Sequence, residues 1–162
     1  MNNQFGEEKQ DYEIEAYSGK YWDRRHSMEN KVKYLEIIQG VISRMANNSF
    51  LMKGWAVTLV VGIFALSGKD ADKLFFLLAY IPIIFFWLLD TYYLRQERLY
   101  RALFNRVREM TEEDIDFSLD ISVQDSEMEK NRFTKCFVSP TELLFYFPLA
   151  MVCSLIVFLV LI

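Results

Sequence analysis

The sequence is short of the side chains that most enzyme chemistry requires. It has one histidine, His26, and two cysteines, Cys136 and Cys153, set far apart. That stock builds neither a disulfide framework nor a metal motif, so two ordinary thiols are expected. His26, in RRHSMEN, reads as a surface or capping residue. Glycine-rich phosphate loops, HExxH and GxSxG are all absent, and an enzyme is not expected. The acidic group Glu112, Glu113, Asp114 and Asp116 imitates a metal site but reads as a solvated face, so neither metal nor cofactor is expected. Basic residues are not in excess either. Eighteen Lys and Arg face 22 Asp and Glu, a net charge of −4, and no DNA partner is expected from that balance. The first fifty residues open acidic and contain no apolar signal core, so the N-terminus is expected to stay where it is made.

What the chain has in quantity is apolar side chain, 52% of its residues, gathered into three runs. Run 143–162 holds twenty residues without a charge, about the length that crosses a ~30 Å hydrocarbon core. Before it stands Ser139-Pro140-Thr141-Glu142. Ser139 suits a helix N-cap, Pro140 the first helical position and Glu142 the third, where it completes a capping box. Run 50–67 (FLMKGWAVTLVVGIFALS) has a single charge, Lys53, and run 74–89 (LFFLLAYIPIIFFWLL) has none and closes at Asp90. Only GKDADK separates them, so they predict a tight transmembrane hairpin with spans of about 50–67 and 74–90. Pro82 lies inside the second span, which predicts a kink there.

Orientation follows the distribution of Lys and Arg. Lys31, Lys33, Arg44 and Lys53 precede the hairpin, five arginines follow it, and Lys130, Arg132 and Lys135 precede the third run. The hairpin turn has only Lys69 and Lys73, offset by Asp70 and Asp72. A multi-pass protein with a cytoplasmic N-terminus and an outside C-terminus is expected, with Trp55, Trp87, Tyr92 and Tyr93 near the cytoplasmic headgroups.

Apolar stripes flank the hairpin. Leu35, Ile38, Ile42 and Met45 recur at helical spacing, and Leu99, Leu103, Val107 and Met110 repeat the pattern. Two cytoplasmic amphipathic helices, antiparallel and face to face, are predicted. Segment 115–123 (IDFSLDISV) alternates and predicts a short strand or extended arm, while 1–21 shows little pattern and is expected to be mobile. The fold class expected is all-α: a transmembrane hairpin and a C-terminal third transmembrane helix, with cytoplasmic amphipathic helices. Its parts are a polar segment 1–26, helices and hairpin 27–113, a cytoplasmic extended linker 114–139, and a transmembrane helix 140–162.

Three sets of residues are candidates for function. Gly54, Thr58 and Gly62 recur every four residues, a small-residue seam that lets helices approach within the hairpin or between protomers. Lys53 and Asp90 fall at the same depth and can pair as a clasp or a gate. Arg95, Arg98, Arg101, Arg106 and Arg108 form a basic row beside the second span. They suit lipid phosphates, or an anionic ligand or partner such as a nucleotide or RNA. The spans otherwise hold only mild polar groups, Thr58, Tyr80 and Ser154, so a conduction path would be lined largely by apolar side chains.

Residues 31–109 contain NSFLMKGWAVTL leading into the first span and LDTYYLRQERLYR leaving the second. This stretch resembles a group of small bacterial two-span membrane proteins, similar to predicted membrane effectors of anti-phage systems, both cyclic-nucleotide-linked and CRISPR-accessory. The third span departs from that pattern. The resemblance implies a homo-oligomer in the bacterial inner membrane that permeabilises or depolarises it during antiviral defence. Its partners would be membrane lipids, further copies of itself, and a cytoplasmic protein, nucleotide or RNA as trigger. The alternative expectation is a membrane-anchored adaptor or scaffold that recruits a cytoplasmic partner.

Overall fold

The computed structural model describes the backbone of residues 4–66, 76–121, 128 and 131–161, and side chains within 25–66, 76–121, 128 and 131–159. The GKDADK turn and residues 122–127 lie outside the described residues. The architecture is all-helical. Helix α1 spans Gln4–Leu66, α2 Tyr80–Glu109, α3 Phe133–Phe137 and α4 Pro140–Leu161, with a 3₁₀ turn at Glu112–Asp114 after α2. By length and composition, Arg25–Leu66 within α1 and Pro140–Leu159 within α4 are apolar enough to cross a bilayer.

Helix α1 is 63 residues long, about 95 Å at 1.5 Å per residue. No proline interrupts it, so no backbone donor is lost along its length. Its helical backbone begins at Gln4, inside the stretch that the sequence reading left unstructured. Helices α1 and α2 run antiparallel. At one end Lys31 Nζ donates to the carbonyls of Arg108 and Met110, at 3.2 and 2.7 Å, which satisfies acceptors left open at the end of α2. At the other end the rings of Phe64 and Phe76 lie 6.0 Å apart.

Two apolar cores are strung along this pair. In one, Tyr34, Ile38 and Ile42 of α1 meet Leu103 and Val107 of α2, and Ile115 closes the cluster. In the other, Ala56 and Val60 meet Ala79, Ile83 and the Tyr146, Cys153 and Val157 side chains of α4. Of the residues read as stripes, Ile38, Ile42, Leu99, Leu103 and Val107 are buried, and Leu35, Met45 and Met110 are half-buried. Met28, Val32 and Ile37 on the same part of α1 are exposed, so its surface there is apolar on more than one side.

Four local expectations are refined or changed. The kink expected at Pro82 takes the form of a break: residues 76–77 are helical, 78–79 form a turn, and α2 begins at Tyr80 with Pro82 in its first turn. Ahead of it Ile81 N–H donates to Leu78 O at 3.1 Å and Ala79 N–H to Phe76 O at 3.3 Å, three-residue turns rather than helical bonds. Pro82 cannot donate, and the first turn of a helix is where no intrahelical donor is missed. Of segment 115–123, the described residues 115–121 take the second of the two forms expected, a packed arm rather than a strand, and 122–123 lie outside the described residues. Phe117 has φ 55°, a left-handed conformation that breaks the alternation a strand needs. Finally, the capping box is not formed. Ser139 N–H already donates to Cys136 O at 3.0 Å, and the Glu142 side chain turns to Lys53 instead. The stretch read as an extended linker, 114–139, includes the short helix α3, docked on α2.

Candidate functional site

Where the two cores meet, three helices converge on a buried charge junction. Ser49 and Lys53 come from α1 one turn apart, Asp90 from α2, and Glu142 and Tyr146 from α4 one turn apart. Spacing of four residues puts both members of each pair on one helix face. Lys53 Nζ forms ion pairs with Asp90 and, at 3.4 Å, with Glu142. Ser49 donates a hydrogen bond to Asp90, and the ammonium donates to Ser49 Oγ at 3.2 Å. The ammonium also lies 5.9 Å from the ring centroids of Phe145 and Tyr146, within range of cation–π attraction.

Burial gives the junction its weight. Asp90, Glu142 and Tyr146 are each 0% exposed, and the Lys53 side chain is 15% exposed. The Asp90 and Glu142 carboxyl groups both reach the same Lys53 ammonium. Glu142 Oε2 and the Tyr146 hydroxyl, both buried, have no hydrogen-bond partner among the described residues. Two buried carboxyl groups thus draw on one ammonium.

The sequence predicted the Lys53–Asp90 pair from matching depth and missed Glu142, whose place in Ser-Pro-Thr-Glu read as a cap. An acidic residue at the edge of an apolar run, level with the other two charges, was the signal available.

A second layer braces the junction. Trp87 stacks on Phe137 at 4.3 Å and on Tyr146 at 5.6 Å, and its Nε1 donates to Phe137 O at 3.2 Å. Arg95 Nε donates to Asn131 O at 3.0 Å, and Arg98 Nη1 approaches Cys136 Sγ at 3.5 Å. Burial pushes the Cys136 thiol up from its ordinary range, against the opposing pull of the Arg98 guanidinium. The basic row is therefore divided. Arg95 and Arg98 hold segment 131–137 against α2, Arg101 pairs with Glu97 on the surface at 2.8 Å, Arg106 sits near Asp114, Asp116 and Asp120, and Arg108 is exposed. The five do not converge on one site.

No known family, curated protein or solved structure matches this chain.

The small-residue seam lies elsewhere. A Cβ placed on Gly54 or Gly62 meets nothing within 4 Å. Thr58 is exposed, and its hydroxyl donates to Gly54 O in the same helix at 2.9 Å. At 100° per residue, Gly54, Thr58 and Gly62 fall on the side of α1 opposite Ala56 and Val60, which face α2 and α4. His26 and Glu29 stand 3.9 Å apart, both exposed.

Proposed function

We propose that the chain is a three-span membrane protein with a cytoplasmic N-terminus, whose copies associate through α1 and permeabilise the bacterial inner membrane in antiviral defence. The observation that carries the membrane part is a belt of exposed apolar side chains on one side of the charge junction. It includes Trp55 and Leu59 on α1, Ile84 and Phe85 on α2, and Phe147 and Leu155 on α4. Only 11% of the most apolar stretch of α1 and 22% of that of α4 are buried, whereas a core helix of a soluble protein is covered on most sides. The participation of α2 in this belt supports counting it as the third span. Positive charge on the other side of the junction supports the orientation.

The outward seam at Gly54, Thr58 and Gly62 supports association, since close helix approach is what small residues permit and, among the described residues, no other side chain packs where a Cβ on Gly54 or Gly62 would lie. The effector role itself rests on the resemblance of residues 31–109. Two measurements test this reading: the mass of the purified protein in detergent, and the membrane potential of cells on induced expression. An oligomer and depolarisation are expected; a strict monomer that leaves the potential intact would contradict it.

A second reading, a membrane-anchored adaptor, is favoured by one observation. The polar groups among the apolar helices are engaged with each other: Lys53 with Asp90 and Glu142, and Tyr80 with Ser154 at 2.7 Å. A single copy therefore offers no polar path. Replacing the spans with an unrelated anchor preserves activity under this reading and abolishes it under the first.

A further inference from the structure

Charge and geometry at the junction do not balance with every group ionised. Lys53 supplies one positive charge, while Asp90 and Glu142, both fully buried, supply two negative charges. Two buried carboxylates drawn to one ammonium repel each other, and away from water a single negative charge is favoured over two. The groups facing Glu142 are Lys53 from α1, Asp90 from α2, Tyr146 from its own helix, and Cys136 from α3 with its thiol. Ser49 adds a hydroxyl that is committed to Asp90. Among the described residues Lys53 is the cation paired with the two carboxyl groups, while Arg98 and Arg95 face the Cys136 thiol behind them. Glu142 Oε2, buried and without a hydrogen-bond partner, is the oxygen left over once Lys53 is shared.

We propose that Asp90 and Glu142 together bind one proton, and that this proton latches helix α4 onto the α1–α2 pair. With the proton in place the junction is neutral: one ammonium, one carboxylate and one carboxylic acid. Loss of the proton converts that acid to a carboxylate and leaves a net negative charge in a dry site. Such a charge is relieved most directly by withdrawing Glu142, which sits in the first turn of α4, toward water. Acidification therefore tightens the attachment of α4, and alkalinisation loosens it. Sharing of this kind does not depend on the permeabilising role, since a passive anchor would need the same neutrality.

Infrared titration of the full-length protein in detergent tests the site between about pH 6 and about pH 9, above the range in which exposed carboxyl groups titrate. A carbonyl band of a protonated carboxylic acid is expected at low pH, disappearing with rising pH as a single proton is released. The band is absent from Glu142→Gln and from Asp90→Asn, because the remaining carboxylate then has Lys53 to itself. Absence of the band from the wild-type protein at every pH overturns the proposal, as does its persistence in both variants. The titration of the wild-type protein stands even where a variant fails to fold. Spin labels at exposed Leu88 and Leu144 test the latch. Their separation broadens as the band is lost and stays narrow in Glu142→Gln; a separation indifferent to the titration overturns the latch. A band without depolarisation in cells would count against the effector reading alone.

Discussion

Removing the ammonium of Lys53 leaves Asp90 and Glu142 buried against each other with no cation between them. Breaking a buried ion pair from one side typically costs about 3–5 kcal/mol. Lys53→Met is therefore expected to lower the melting temperature of the detergent-solubilised protein sharply. Adding Asp90→Asn and Glu142→Gln to that variant recovers most of the loss, because the triple variant has no charge to compensate. Thermal unfolding followed by helical signal measures both; equal loss in the single and triple variants would show that the lysine acts by packing alone. Cys136 gives a second expectation at this scale. Its thiol is buried and held in the protonated form, and the thiolate is the reactive species. In a Cys153→Ser background, maleimide should fail to label the native protein at neutral pH and label it fully in denaturing detergent. Lys53 and Asp90 were legible in the sequence because each is a lone charge at the edge of an apolar run. Glu142 carries the same mark, but a local motif explained it first, and only the docking of α4 shows which role prevails.

Between elements, the lower core decides how firmly α2 lies on α1. Leu103 is buried among Tyr34, Ile38 and Ile42, and Leu→Ala at such a site costs about 2–5 kcal/mol. Leu103→Ala is expected to expose the lower parts of both helices to hydrogen exchange while the amides around Ala56 and Ile83 keep their protection. Uniform loss of protection would mean that the two cores unfold as one. Tyr34 ties the same core to the following segment. It donates to Ser118 O and meets the Phe117 ring edge-on at 5.4 Å. Burial, with Asp116 nearby, holds its hydroxyl above the ordinary tyrosine range, so it remains a donor.

Helical spacing made this core readable: Ile38, Ile42, Leu103 and Val107 stand three or four residues apart and are buried. The alternation of segment 115–121 did not decide between strand and arm, because a strand also needs a partner edge, and Ile115 fills a gap between helices. The break at Pro82 was legible, since proline specifies which backbone bond is missing; that it falls as a turn at 78–79, between helical residues 76–77 and α2, was not.

For the whole molecule, the distribution of exposed side chains carries more than any single pocket. One side of the charge junction presents apolar residues on three helices, and the other carries charge; α1 runs through both. The proposed association of copies would use the outward small-residue seam. Replacing Gly54 and Gly62 with leucine should leave the protomer folded, since each added Cβ has free space. Close approach of a second helix would be blocked, and the detergent mass should fall to that of a single chain. Sequence pattern displayed the seam but not its direction, because direction depends on which face of α1 the other helices occupy.

The most direct measurement is ion efflux from liposomes reconstituted with the full-length protein over a range of protein densities. Permeabilisation by assembled copies predicts efflux that rises more steeply than in proportion to density and is lost in the Gly54→Leu, Gly62→Leu variant. Efflux no greater than that of empty liposomes at every density, from protein shown to be inserted, would contradict it.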